Sequence, residues 1–377
     1  MRKSVILQVL PMLKRGGVEA FVMNNFRSID RERFQFIFLI IGEGEEYDDE
    51  ISSLGGKVIH SGLCFSHASK LIPNFIALIK LLKNIEFDAI HSHINQFNGL
   101  IFLAAIIAGK RGFVSHSHGT DYEDNTGGVL RRLVYRKLFY SLTRRLSDIR
   151  LACGELAGKT LYKSSSFSVL PNAVDVQRLN NISDSEIKSY KASLGIPDTA
   201  RVYSSISRFD TNKNLVFAVD IFDSIHKRDQ NTMLLVGGVG DETRADVEAR
   251  IREYGLENNV RVFGKCDIMR DIYHISDCWI MPSMHEGLPF SLIEAQACGL
   301  HSVITTSIDT NADMGLGLVH FCSLSDRPEH WAETALSCHS HTLTMNEIME
   351  KMDLKGYLLS TNIKHLETIY EKVLCIK

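Results

Sequence analysis

The sequence predicts an α/β protein built of two tandem doubly wound, Rossmann-like parallel-sheet domains. Three observations point there. Short, continuously apolar runs alternate with amphipathic segments, as strands buried on both faces and their covering helices require. The rhythm breaks once, near Leu170-Pro171-Asn172-Ala173-Val174-Asp175, and restarts at Val202. The length of 377 residues suits two domains, and 45% apolar with 23% charged residues excludes a disordered or fibrous chain.

Residues 5–10 form the first short apolar run, which ends in a glycine loop. The preceding Met1-Arg2-Lys3 superficially resembles a signal peptide. No small-residue cleavage site follows, so a buried strand is the expectation. A helix is expected over 17–26, a strand over 34–41, a helix over 71–82 and a strand over 87–91. A buried helix over 100–108 and a strand over 112–116 follow. The run 100–108 is the longest apolar one and falls far short of the roughly 20 residues a spanning helix needs. A polar stretch over 180–191 marks the joint between domains. Strands are then expected over 202–206, 232–237, 260–264, 278–282 and 302–305. Residues 362–374 carry Ile363, Leu366, Ile369 and Leu374 at roughly helical spacing, on a helix that can pack on either domain.

The net charge of −3 offers no global field for nucleic acid. One local stretch is basic: Arg131, Arg132, Arg136, Lys137, Arg144 and Arg145 lie within 130–146 with no acid among them. Leu133, Val134, Leu138, Leu142 and Leu146 line one face. This is the pattern of a helix lying on anionic lipid, and also of a packed helix with a basic outer face. The acidic run 43–50 reads as a solvated loop. Eight cysteines, Cys64, Cys153, Cys266, Cys278, Cys298, Cys322, Cys338 and Cys375, include no C-x-x-C pair. That argues against a disulfide framework, a zinc ribbon or a thioredoxin motif, and for buried reduced thiols.

Four places carry chemistry. Gly16-Gly17 follows the first strand and opens a helix, where backbone amides can approach a negative ligand; a simple tight turn reads the same way. Arg208 and Lys213 lie beyond a strand's carboxyl end, where doubly wound folds bind ligands, and two cations there suit a diphosphate. Glu286-Gly287-Leu288-Pro289-Phe290 leads from a strand into a helix bearing Glu294. Free amides at that helix start suit a phosphate or sugar, and a carboxylate suits ribose hydroxyls. His91-Ser92-His93 and His116-Ser117-His118 place residues two apart on one strand face, so a metal must be weighed. No H-E-x-x-H and no matching carboxylate appears, so no metal is expected. His118, followed by Gly119, is the better candidate to face a substrate.

Together these residues resemble the family 4 retaining glycosyltransferases of the GT-B fold. The resemblance rests on Gly16-Gly17-Val18-Glu19, His116-Ser117-His118-Gly119, Pro171-Asn172-Ala173-Val174-Asp175, Ser207-Arg208 with Lys213-Asn214, and Glu286 with Glu294 at E-x7-E spacing. The opening motif and His-Ser-His are similar to transferases that build bacterial capsular and O-antigen polysaccharide.

The resemblance implies two domains facing a cleft, which closes on the donor. Residues 1–175 with 360–377 would form the acceptor-side domain and 176–359 the nucleotide-sugar domain. The implied donor is a nucleotide sugar, UDP-linked, the implied acceptor a lipid-linked saccharide, and no metal is required. Arg208 and Lys213 would hold the diphosphate and stabilise it as leaving group. Glu294 would bind the ribose and Glu286 the sugar. Gly287, Leu288, Pro289 and Phe290 would offer backbone amides, His118 would lie beside the anomeric centre, and Gly16 and Gly17 would approach the phosphates. A cytoplasmic enzyme, peripheral at the inner face of the membrane, is implied. Two departures stand out: Gly287-Leu288-Pro289-Phe290 replaces a commoner Gly-Phe-Gly form, and Ala173 stands where Gly is frequent. A UDP-sugar 2-epimerase, a non-catalytic nucleotide-sugar binding module and a metal hydrolase on the H-x-H pairs are the competing readings.

Overall fold

The computed structural model describes residues 2–14, 16–63, 65, 68–119, 129–264, 269–286, 288–338 and 343–376. The chain divides into two compact units, Met1–Ala173 with Leu359–Lys377, and Val174–Leu358. The unit edge falls just ahead of Val174 because Val174 N donates to Tyr357 O at 2.9 Å and Val174 bridges Leu358. Val174 and Val176 also pack with Ile293 and Ala297, which binds them to the second unit.

The first unit holds seven parallel strands: β1 (Ser4–Leu10), β2 (Phe34–Ile40), β3 (Lys57–His60), β4 (Ala89–Ser92), β5 (Phe113–Ser117), β6 (Ile149–Ala152) and β7 (Ser168–Val169). Their order is β3-β2-β1-β4-β5-β6-β7, so the direction of winding reverses between β1 and β4. Alternation along β1 serves two cores. Ile6 and Leu10 pack with Phe21 and Phe26 of helix Gly17–Ser28 and with Leu366 and Tyr370 of helix Leu359–Leu374. Leu7 and Val9 pack on the other face with Leu78 and Leu82 of helix Ala68–Asn84 and with Ile101 and Ala105 of helix Asn98–Ile107.

The second unit holds six: β8 (Arg201–Ile206), β9 (Thr232–Gly237), β10 (Val260–Phe263), β11 (Cys278–Met281), β12 (Ser302–Thr305) and β13 (Val319–Cys322), all parallel, in the order β10-β9-β8-β11-β12-β13. Here the reversal lies between β8 and β11. Tyr203, Leu234 and Val236 face helix Leu215–His226, while Val202, Ile206, Met233 and Leu235 face the opposite core.

The structure corrects three expectations. The polar stretch 180–191 is not a linker: it enters helix Asp184–Ser193, started by a capping box in which Ser183 and Glu186 bond reciprocally. Helix Asn98–Ile107 is buried at its start but exposes Ile106 and Ile107 at its end. Cys375 is exposed and Cys298 half-buried, whereas Cys153, Cys278, Cys322 and Cys338 are buried; Cys64 and Cys266 lie outside the described residues.

The basic stretch is the helix Val129–Leu146. The side chains of Arg131, Arg132 and Arg136 lie outside the described residues. Lys137, Leu138 and Arg145 are exposed, but Arg144 turns inward and donates to Leu161 O at 3.4 Å. Among the described residues no helix is long and apolar enough to cross a membrane.

Candidate active site

In the second unit, β8 delivers the chain into a loop carrying Arg208, Asp210 and Lys213. Arg208 is 68% exposed and pairs with Asp210 at 3.2 Å. Asp210 in turn caps the tight helical turn Thr211–Lys213, accepting from Lys213 N at 3.0 Å. This turn is tied to the segment after β11 through Asn212. Its amide donates to His285 O at 2.9 Å, its Oδ1 accepts from His285 N at 3.0 Å, and its carbonyl accepts from Met284 N at 2.8 Å. The tie brings Lys213 Nζ into an ion pair with Glu286 Oε1, and both side chains are largely buried. Two charges from different strand ends are thus held together at the carboxyl edge of the sheet, beside the β8/β11 reversal.

Glu294 sits on helix Phe290–Ala297 and accepts from Tyr273 Oη at 2.9 Å. Burial pushes its carboxyl up from the usual 4.5 to about 7, against the pull of the Tyr273 hydrogen bond and the Arg178 charge. Pro289 is the N-cap of this helix, Phe290 its first residue, and Leu288 packs against the neighbouring core. Gly287 lies outside the described residues. So Lys213 and Glu286 are joined directly, while Arg208 and Glu294 have partners of their own.

The sequence reading missed one element of this edge. Gly237 ends β9 and Gly238 and Gly240 follow it, with φ of +123°, +155° and +88°. A Cβ on Gly238 would lie 2.2 Å from Ser207 O. Ser207 N donates to Gly237 O at 2.8 Å and Phe209 N to Val239 O at 2.9 Å. The glycine loop therefore supports the segment that carries Arg208. Its signal, three glycines in Gly237-Gly238-Val239-Gly240 directly after an apolar strand, was legible.

In the first unit, Gly16 is the exposed, extended N-cap of helix Gly17–Ser28. A Cβ on Gly16 would lie 2.6 Å from Glu19 Oε2, the far end of a side chain, so a larger residue here would displace the Glu19 carboxyl. The buried Glu19 carboxyl bonds its own backbone amide, and burial raises its pKa to about 7. The side chain thus already answers part of the helix terminus that Gly16 and Gly17 open.

The two H-x-H pairs form one group. β4 and β5 pair in register, His91 opposite Val114 and Ser92 opposite Ser115. Ring centroids of His91 and His93, and of His116 and His118, lie 4.1 Å apart. His93 bridges His118 Nε2 at 2.8 Å and Gln8 Oε1 at 3.0 Å, and Tyr370 Oη contacts His91 at 2.9 Å and accepts from Gln8 at 2.8 Å. Phe21 packs edge-on against His116. Burial depresses all four imidazoles, His91 and His118 to about 3, so each is neutral at pH 7. His91, His93 and His116 present ligand atoms within 4.8 Å of one another.

Residues 186–314 match the family described as Glycosyl transferases group 1, and residues 15–178 match Glycosyltransferase Family 4. EpsF of Bacillus subtilis (strain 168), a protein bearing a glycosyltransferase name, is 32% identical over 97% of this chain and 96% of its own. The chain belongs to glycosyltransferase family 4. Other relatives of this transferase also bear glycosyltransferase names. The capsular polysaccharide biosynthesis glycosyltransferase CapH of Staphylococcus aureus is 26% identical over 82% of this chain and 83% of its own. An Escherichia coli UDP-Gal:alpha-D-GlcNAc-diphosphoundecaprenol alpha-1,3-galactosyltransferase is 26% identical over 80% and 79%. Anabaena Alr3699/HepE, solved in complex with UDP and glucose, shares the fold with a TM-score of 0.75 at 16% identity, over 98% of this chain and 100% of that one. The transferase is thus a GT-B-like α/β protein related to the enzymes of capsular and exopolysaccharide biosynthesis.

Proposed function

We propose that the enzyme moves a hexosyl or N-acetylhexosaminyl group, with retention of configuration, from a UDP-linked donor to a lipid-linked saccharide of a growing bacterial surface polysaccharide. The observation that carries this reading is the buried Lys213–Glu286 pair at the carboxyl edge of the second sheet, with Glu294 on the next helix. The names of the E. coli and S. aureus relatives support the acceptor class and the pathway class.

In this mechanism Arg208 and Lys213 bind the donor diphosphate. Breaking the glycosyl–phosphate bond adds negative charge to that group, and fixed cations stabilise the charge as it develops. Lys213 then exchanges its ion pair with Glu286 for the phosphate, and Glu286 accepts from sugar hydroxyls. Glu294 takes the ribose hydroxyls, and the backbone of residues 287–290 meets phosphate and sugar. The acceptor hydroxyl attacks from the face the diphosphate leaves, and the departing phosphate oxygen takes its proton. His118, neutral at pH 7, takes the place beside the anomeric centre and hydrogen-bonds without adding charge. Two cations balance the diphosphate, so no metal is needed. The exposed Lys137, Leu138 and Arg145 support a peripheral contact with anionic membrane on the cytoplasmic side.

A panel of nucleotide sugars, incubated with an undecaprenyl-diphosphate-linked saccharide and followed by NMR, tests the reading. A retained anomeric linkage, released UDP and insensitivity to EDTA are expected. A second sugar still attached to UDP, formed without acceptor, would establish epimerisation instead. Failure to release UDP with any donor and acceptor would leave a binding module, and loss of turnover in EDTA would restore the metal reading.

A further inference from the structure

The amino-terminal edge of the second sheet, opposite the edge that carries Lys213 and Glu286, holds a cluster of a different kind. Cys278 opens β11, His301 immediately precedes β12, and His320 lies in β13. Cys338 ends the helix Pro328–Ser337, which returns from the carboxyl end of β13 to the same edge. Strand register makes the convergence: Trp279 pairs with Ser302 and Val303 with His320, which sets Cys278 beside His301. Trp279 N donates to His301 O at 2.8 Å, fixing that pair of strand starts.

The reactive atoms face one another. His301 Nδ1 and His320 Nε2 are 3.1 Å apart, and ligand atoms of His301, His320 and Cys338 all lie within 4.8 Å. The Cys278 thiol is in hydrogen-bonding reach of Cys338 Sγ, and the two are not joined by a disulfide. Cys278, His301 and Cys338 are buried and His320 half-buried. Arg201 donates to Cys338 O at 3.0 Å and holds the end of the helix in place.

We propose that Cys278, His301, His320 and Cys338 bind a zinc ion in a structural site with four protein ligands. The donor set, two sulfurs and two imidazole nitrogens, selects a borderline-soft ion over magnesium or calcium. Zinc bond lengths in a tetrahedron separate ligand atoms by about 3.3–3.8 Å; His301, His320 and Cys338 present theirs within 4.8 Å of one another, and Cys278 adjoins them through its contact with Cys338. Binding releases both thiol protons to solvent. Two thiolates then balance the charge of the ion, so the filled site is neutral and its burial carries no net charge. All four positions are taken by side chains, so the ion pins β11, β12, β13 and the end of a helix together and activates no water.

The full-length protein is stripped with a chelator and titrated with cobalt(II). Stoichiometric uptake, a thiolate-to-cobalt charge-transfer band, tetrahedral visible bands and displacement of the spectrum by zinc are expected. Chelation should lower the thermal midpoint of the parent protein. Cys278→Ser and Cys338→Ser should each weaken the charge-transfer band, and the two together should lose the band and the chelator effect. The band separates this site from the His91, His93 and His116 group, which contains no sulfur. The parent spectrum decides even if a variant fails to fold: cobalt uptake with no thiolate band, or a parent mass lower by two hydrogens from a Cys278–Cys338 disulfide, would overturn the site. So would a band that survives both substitutions.

Discussion

Lys213 and Glu286 neutralise each other in a half-closed environment, so removing one strands the other. Losing a donor aimed at developing charge costs about 10²–10³ in kcat. Arg208→Ala and Lys213→Ala are each expected to lower kcat by about that factor, and by more than they weaken UDP binding. The two should differ in stability. Lys213→Ala leaves Glu286 buried without its cation, whereas the exposed Arg208 is lost at little cost. Urea denaturation of the two variants, read beside kcat and UDP titration, checks both halves, and near-parental transfer by Lys213→Ala would remove the diphosphate assignment. Glu294 carries a pH prediction. Its folded pKa of about 7 lies above the usual 4.5, so its contribution to stability is fully present below about pH 4.5 and lost as pH rises through 7. Glu294→Gln cannot ionise. It should melt with the parent near pH 4 and above it near pH 8; equal melting at both would show that Glu294 is not held in a desolvated site.

At the scale of the element, the loop after β9 sets the position of the loop after β8. Gly238 at φ +155° with Ser207 O beside it has no room for a side chain. Gly238→Ala is expected to destabilise by about 1–3 kcal/mol and to weaken UDP binding, because the displaced segment carries Arg208. A variant with parental Tm and UDP affinity would refute the coupling. The helix Val129–Leu146 bears the membrane prediction. Each cation near an anionic surface contributes about 1 kcal/mol, so cosedimentation with anionic vesicles should occur at low salt and fade at high salt. Equal binding to neutral vesicles would contradict it. Element types were readable where an apolar run was long, as in β1, β2, β8 and β9. The strands β3, β6, β7 and β13 were not read; Ser168–Val169, only two residues long, has no period of its own and becomes a strand only by pairing.

At the scale of the whole molecule, the proposed donor ligands Arg208, Lys213, Glu286 and Glu294 come from separate stretches of one unit. Hydrogen exchange with and without UDP should show protection over 207–214, 237–240 and 284–294, while β3 and its neighbours in the first unit exchange unchanged. Protection confined to the first unit would reverse the assignment of the donor side. Alternating apolar runs and one break in rhythm were enough to establish two doubly wound units, because burial on both faces of a parallel strand is written in local composition. The proposed participants were legible as residue types and places too: Arg208, Lys213, Glu286 and His118 beyond strand ends, and Glu294 on the helix that follows. Pairing was not visible. That Lys213 meets Glu286, that four histidines become one neutral group, and that Cys338 meets Cys278, His301 and His320 follow from strand order and register, which bring together residues far apart in the chain. Spacing along a chain reports only neighbours on one element, so cysteines without a C-x-x-C read as inert until the sheet set them side by side.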